Sequence, residues 1–368
     1  MERNWKEIDR NMAISEVKDK DQLSWFDMKE TKEPFRVSGL YWFRDNKGYC
    51  RVPEEWLPVL SEKAPGARYM AEDNAGGQIA FETDAERIVV DVKLECPQLW
   101  DHSPATMEMG CDCYIAYEGE ELHFGGVARF DARKNSYTAE VLSGHPKKPK
   151  QVVINLPLYD PVESFRIGLP KDAYIRAPKP FAKKSPIVVY GTSTTQGGCV
   201  SRPGILPTNV IGRRMNREIL NFGFSGSGNG EPELAQILAE IRDPAMYELE
   251  YENNAGERIY TTLEPFIDIL REKHPDTPIL VSSRVPVYKF SHIPERMKQY
   301  ADRREYQRKT VERRRAEGDK NLYFLDGWKA FEGIRDPEDL YVDGIHPTDM
   351  GARAIADFLE PWFRKLAE

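Results

Sequence analysis

The fold turns on Ser185-Pro-Ile-Val-Val-Tyr-Gly-Thr-Ser193-Thr-Thr-Gln-Gly-Gly198. Ile187, Val188 and Val189 form a short apolar run that starts just after a proline and stops at Gly191. A run of that length between two breakers predicts a buried strand of a parallel sheet. The chain then turns through small hydroxyl residues and glycines. The carboxyl end of a parallel strand is where open α/β sheets hold their ligands. A serine placed there becomes a nucleophile once a base reaches it and N–H donors face the developing oxyanion. Taken alone, the stretch is equally an ordinary strand-to-helix turn. Its weight comes from Asp343-Gly-Ile-His346-Pro-Thr, far downstream.

From 185 onward the pattern alternates. Strands are expected at Ile187–Tyr190, Ile219–Phe224, Tyr247–Tyr251, Pro278–Ser282 and Leu322–Leu325. Helices are expected near Thr208–Arg217, Glu231–Arg242, Thr261–Lys273, Pro294–Glu317 and Asp349–Leu366, with Pro232 in a first turn. Alternating β and α with short links predicts a parallel sheet covered on both faces.

The half before it reads as β. Ile79, Phe81 and Thr83 alternate with Ala80 and Glu82, and Ile88, Val90, Val92 and Leu94 alternate in the same way. Cys113 to Tyr117 and Leu122 to Val127 flank the Glu118-Gly119 turn as a hairpin. Val152–Leu156 and Ser164–Leu169 add two strands, and Asp9–Ile14 and Asp21–Met28 are edge strands or irregular approach segments. Short strands broken by Gly, Pro, Asn and Asp predict an antiparallel sandwich or jelly roll. The expected organisation is a β-sandwich domain over 1–174, a proline-rich basic linker over 175–184, and an α/β catalytic domain over 185–368.

Composition narrows the function. The 368 residues are 40% hydrophobic and 30% charged, with a net charge of −8. That acidic balance argues against nucleic acid as a partner, because phosphate binding needs a basic surface. The arginines of the 294–317 helix then read as a solvated face. No apolar run approaches the length of a membrane span, and the charged N-terminus lacks a signal-peptide core. A cytoplasmic protein with no membrane partner is expected. The five cysteines show no zinc-ligand spacing and are expected as free thiols.

Asp343 and His346, three residues apart, fit one tight turn at the sheet edge. A histidine is the natural base for a serine, and a carboxylate beside it fixes its tautomer. Alone, an Asp-x-x-His pair is more often structural. Two stretches offer oxyanion donors. Asn221-Phe-Gly-Phe-Ser-Gly226-Ser-Gly228 runs a strand into a glycine turn that can expose the Gly226 N–H, or is a plain turn. Tyr247 to Asn254 ends a strand in two asparagines, which could equally serve as caps. In the first half, Cys96-Pro-Gln-Leu-Trp100-Asp-His102-Ser-Pro104 is a fixed loop. Its tryptophan and histidine make it either a platform for a sugar ring or a wall beside the catalytic site, or else Trp100 is an anchor packed on its own sandwich.

Gly191-Thr-Ser193 with Thr195-Gln196-Gly197, Gly226, Asn253 and Asp343-x-x-His346-Pro stand in the order of the four blocks of the SGNH (GDSL-like) hydrolases, which the chain resembles. The match is closest to the branch in which Ser-x-Thr-Gln-Gly is followed by Ser-Arg-Pro-Gly, here Ser201-Arg202-Pro-Gly204. That branch carries an N-terminal sandwich with a Gly-x-Asp-Leu-Tyr motif, similar to Gly110-Cys-Asp112-Cys-Tyr114. The resemblance implies a flavodoxin-like three-layer α/β/α domain preceded by the sandwich. Ser193 would be nucleophile, His346 general base and acid, and Asp343 its orienter. The Ser193 N–H, the Gly226 N–H and the Asn253 side chain would form the oxyanion hole, with no cofactor and no metal. Trp100 and Arg202 are candidate substrate contacts. The usual Gly-Asp-Ser is Gly-Thr-Ser here, and the third block reads Glu250-Tyr-Glu-Asn253, leaving Asn253 and Asn254 both open as donor.

The resemblance points to a serine esterase acting on small acyl groups, above all acetyl, of xylan- or mannan-derived oligosaccharides. An acyltransferase with the same triad and a non-catalytic carbohydrate-binding protein are the rivals. The sequence leaves the oligomeric state open, a homodimer included.

Overall fold

The computed structural model describes residues 16–368, with Ile8, Asp9 and Ile14. The Asp9–Ile14 segment lies outside the described residues save for its two ends. Two antiparallel sheets occupy the first half. One runs, in spatial order, Leu23–Asp27, Val162–Pro170, Ile88–Leu94 and Ser136–Leu142. The other runs Ile175–Arg176, Gln78–Thr83, Lys150–Asn155, Asp112–Ala116 and His123–Val127, with Arg36–Ser38 also paired to Gln78–Thr83. Their inner faces share one core: Val90, Val92, Phe165 and Ile167 from the first sheet meet Ile79, Phe81, Ile115 and Val152 from the second. The period-2 alternation of each strand dictates this, since every second side chain faces inward.

The second half is a five-stranded parallel sheet in the order Ile219–Gly223, Ile187–Gly191, Met246–Glu250, Ile279–Ser282, Leu322–Leu325. In sequence numbering that is 2-1-3-4-5, the doubly wound order whose reversal point lies beside the first strand. The helices fall at Pro207–Met215, Pro232–Ala239, Ile259–Lys273, Pro294–Ala316 and Asp349–Ala367, within two or three residues of the expected bounds. The arginines of the long helix are largely ion-paired, Arg308 with Glu305 and Glu312, and Arg314 with Asp268. Arg303 departs from a solvated face: it is buried and paired with buried Glu252 at 2.7 Å. Among the described residues, no helix is long and apolar enough to cross a membrane.

Beside the Arg36–Ser38 and Ser136–Leu142 strands, which were not expected, two other stretches depart from the sequence reading. Helices at Leu57–Lys63 and Pro65–Ala71 lie in the first half of the chain, yet Leu60, Ala64, Ala67 and Ala71 pack into the core beneath Val188, Leu220 and Leu249. The proline-rich segment after 174 begins as a short strand, Ile175–Arg176, paired to Thr83 and Glu82. Lys179 further along is held by Gln151 and Arg36. The two halves are thus packed together, as a short linker implies.

Candidate active site

The register of the parallel sheet fixes where the site must be. Gly191 pairs with Gly223 on one side and with Glu250 on the other, so three adjacent strands end level. Ser193, Gly226 and Asn253 follow those ends by two or three residues. The first strand's end opens directly into the short helix Ser193–Gln196, with extended Thr192 before it. The N–H groups of a first helical turn have no partner inside the helix, and Ser193 is its first residue.

His346 Nε2 lies 3.0 Å from Ser193 Oγ, and His346 Nδ1 lies 2.9 Å from Asp343 Oδ2. The other Asp343 oxygen accepts the backbone N–H groups of Ile345 and His346 at 2.9 and 2.8 Å. Burial alone would raise the Asp343 carboxyl. The hydrogen bonds from the His346 N–H, the His346 ring and the Ile345 N–H outweigh it and hold the group at about 2. Asp343 is therefore ionised, and its charge selects the tautomer with the proton on Nδ1 and the lone pair of Nε2 toward Ser193.

The glycine loop is built by close approach. A Cβ on Gly223 would stand 2.2 Å from the Gln196 N, so only glycine lets the second strand pass under the nucleophile turn. Gly226 has φ +68°, a left-handed conformation that turns the chain sharply and that glycine adopts without strain. Gln196, fully buried, joins turn and loop: its Oε1 accepts from Ser225 N–H at 2.8 Å and its Nε2 donates to Asp73 at 2.7 Å. Arg51 holds the loop from below, donating to the Asn221 and Gly223 carbonyls at 3.1 and 2.7 Å. Asp73 and Arg51 come from the first half of the chain. Nothing in their local sequence marks them, because the contacts by which they hold the site, Arg51 to Asn221 and Gly223 and Asp73 to Gln196, each span more than 100 residues.

Asn253 Nδ2 lies 3.3 Å from Glu250 Oε1, and the Asn253 Oδ1 is buried without a partner. Asn254 instead donates to the Phe224 carbonyl at 3.2 Å. Glu250 is buried and pushed up to about 8, first by burial and then by neighbouring Glu248 and Glu252. Glu248, likewise buried, is pushed up to about 7 by burial. The Thr192 and Thr195 hydroxyls lie 3.4 Å from the other Glu250 oxygen. Beneath them a cavity of about 40 Å³ is lined by Glu248, Glu250, Thr194, Thr195 and Ser282.

The Trp100 loop reaches the site, but through His102. The His102 ring lies 5.5 Å from the His346 ring, while Trp100 stacks behind it at 6.0 Å and packs edge-on against Tyr159 at 4.9 Å. Arg202 sits in the seam between the two halves. It donates to Asp112 at 3.0 Å and to the Tyr114 hydroxyl at 2.7 Å, and the Gly204 N–H reaches the same Asp112 oxygen at 2.9 Å. The Gly110-Cys-Asp-Cys-Tyr114 motif of the sandwich thus meets Ser201-Arg-Pro-Gly204 of the α/β half through Asp112 and Tyr114 on one side and Arg202 and Gly204 on the other.

Residues 184–364 match the model of the GDSL-like lipase/acylhydrolase family, and residues 23–175 match that of the N-terminus of SGNH-hydrolase-type esterases. No curated protein matches the chain. Among solved structures, a GDSL-like protein from Bacteroides ovatus is 27% identical, with a TM-score of 0.84 over 94% of this chain and 98% of that one. The salicylyl-acyltransferase SsfX3 of a tetracycline biosynthetic pathway is 20% identical, with a TM-score of 0.75 over the same shares. A family two carbohydrate esterase from Cellvibrio japonicus is 12% identical, with a TM-score of 0.56, again over 94% and 98%. At those lower identities the two enzymes share the fold with this chain. With both halves of the chain matched and the four blocks gathered at one sheet edge, the chain belongs to the GDSL-like (SGNH) hydrolase family, in the group with an N-terminal domain of GxDLY type.

Proposed function

We propose that the protein is a serine esterase that removes small acyl groups, above all acetyl, from carbohydrates such as xylan- or mannan-derived oligosaccharides. The observation that carries the chemistry is the Asp343–His346–Ser193 chain of contacts at 2.9 and 3.0 Å. His346 Nε2 takes the Ser193 proton as Oγ bonds to the ester carbonyl carbon. The carbonyl π electrons move to oxygen, which the Ser193 and Gly226 N–H groups and an asparagine amide stabilise. The intermediate collapses, the C–O bond to the sugar breaks, and the proton on His346 goes to the leaving alcohol. Water, deprotonated by His346, then cleaves the acyl-enzyme and releases the acid.

Asn253 suits the amide role when its oxygen, not its NH2 group, faces Glu250. A Glu250 pushed up to about 8 is neutral at pH 7 and donates to that oxygen. The turned amide gives its oxygen a donor and puts its NH2 group in the buried place the oxygen held, where its acceptor is the developing oxyanion. Trp100 supports His102 as a wall for the sugar in this reading, and Arg202 acts as a clasp between the halves.

Acetate release from a panel of acetylated oligosaccharides, wild type beside Ser193→Ala, tests the proposal. Release that falls at least about a thousandfold in the variant is expected. Normal p-nitrophenyl acetate turnover with no acetate from any oligosaccharide overturns the carbohydrate substrate. An acyl adduct that forms and passes to an added alcohol but not to water identifies an acyltransferase. Sugar binding with no adduct at all leaves a binding protein.

A further inference from the structure

We propose that His102, Cys199 and His346 form a site for a borderline-soft divalent cation, Zn2+ foremost, whose occupancy switches the serine site off. One ligand atom from each residue lies within 4.8 Å of the other two. Zn–N bonds of about 2.0–2.1 Å and Zn–S bonds of about 2.3 Å put tetrahedral ligands roughly 3.3–3.8 Å apart, so the three close in by about 1 Å. His102 can supply that movement, since it stands on a surface loop with a side chain 30% exposed.

A second observation points to a metal rather than to chance proximity. Each histidine has Nδ1 on a carboxylate: His346 on Asp343 at 2.9 Å, His102 on Asp101 at 3.1 Å. Carboxylate partners on one ring nitrogen are what orient metal-binding imidazoles and leave Nε2 to the cation. The third group is a thiol, which together with two imidazoles selects Zn2+ over Mg2+ or Ca2+. Cys199 Sγ is buried and lies 3.6 Å from the Ser103 hydroxyl, on the same loop as His102. Its proton passes to solvent as the Zn–S bond forms, and a fourth position stays open to water.

The consequence follows from the lone pair. His346 Nε2 lies 3.0 Å from Ser193 Oγ, and a nitrogen bound to zinc can no longer take a proton. Inhibition therefore rests on the esterase reading, whereas binding does not. The sandwich supplies one ligand and the α/β half supplies two, so a bound cation also pins the Trp100 loop over the site.

Two measurements separate the claims. Co2+ added to Ser193→Ala, which needs no activity, is expected to give a sulfur-to-cobalt charge-transfer band that is absent from Ser193→Ala/Cys199→Ser. No such band overturns the site. Zn2+ inhibition of p-nitrophenyl acetate hydrolysis is expected in wild type, with Mg2+ inert. In Cys199→Ser and in His102→Gln, inhibition measured relative to each variant's own rate is expected to weaken by about tenfold or more. Inhibition unchanged in both variants places zinc elsewhere and overturns the site. A cobalt band without inhibition overturns the switch alone and turns on the role of His346.

Discussion

Gln196 holds Ser225 in place, its Oε1 accepting the Ser225 N–H at 2.8 Å, one residue before Gly226. The nucleophile turn and the oxyanion loop are therefore one rigid unit. Gln196→Ala leaves the part-buried Ser225 N–H and the buried Asp73 carboxyl without this partner, at a cost of about 1–3 kcal/mol. The loop is expected to loosen, with kcat for p-nitrophenyl acetate falling about tenfold to a hundredfold and KM near the wild-type value. A KM effect at unchanged kcat would show that Gln196 shapes substrate binding instead.

Asn253 and Asn254 are separated by their partners. Asn254 is committed to the Phe224 carbonyl, and Asn253 faces Glu250. Asn253→Ala is expected to lower kcat by about a hundred- to a thousandfold, the usual loss for one oxyanion donor. Asn254→Ala is expected to stay within about tenfold. Steady-state kinetics on both variants decides, and the reverse order would make Asn254 the donor.

The parallel half was legible nearly to its strand ends because its strands are short, largely apolar runs closed by glycine, serine or charged residues. Asp343-Gly-Ile-His346 and Ser193 were legible as a pair because both stand at sheet-edge turns. The 57–71 helices were not, since Pro58, Pro65 and Gly66 interrupt the helical period, and their apolar face is completed by another part of the chain. The Ser136–Leu142 strand has the alternation, Tyr137, Ala139 and Val141 being buried, but alanine and threonine dilute its signal. Arg51 and Asp73, unlike His102 in its marked loop, were silent for a different reason. Their roles exist only across the interface between the halves, and no spacing in the sequence encodes that.

Glu250 ties stability to pH. Its ordinary value is 4.5 and the fold pushes it up to about 8. Between those values the unfolded chain is ionised while the folded one keeps the proton, so folding takes up a proton. Stability present below pH 4.5 is then lost as pH rises, by up to about 1.4 kcal/mol per pH unit, and the loss ends above about pH 8. Glu248, pushed up to about 7, adds a loss of the same sign over a narrower window. Glu250→Gln keeps a donor for Asn253 and has no proton to lose. Urea unfolding from pH 5 to 9 is expected to show a shallower decline for the variant, with its largest advantage above pH 8. Parallel curves for the two proteins would mean that Glu250 is ionised inside the fold.

Arg202 and Asp112 join the halves. Asp112 is fully buried and its carboxylate is met by Arg202, the Gly204 N–H and, at 2.7 Å, the Asn155 amide. Burial raises the Asp112 carboxyl, and the Asn155 and Arg202 contacts oppose that rise. Arg202→Ala leaves a buried carboxylate without its counter-charge, and a loss of about 3–5 kcal/mol is expected in urea unfolding at pH 7. Asp112→Asn in that background removes the stranded charge and keeps an oxygen for the Gly204 N–H, at the loss of the bond from the Asn155 amide. The double variant is therefore expected to be more stable than Arg202→Ala alone, a coupling that contact between the two groups requires. Arg202→Lys is expected to fall between, because an ammonium cannot reproduce the planar fork that meets Asp112 and Tyr114 together. A loss below about 1 kcal/mol for Arg202→Ala would mean that the seam is held by its apolar contacts, with Arg202 left free for substrate.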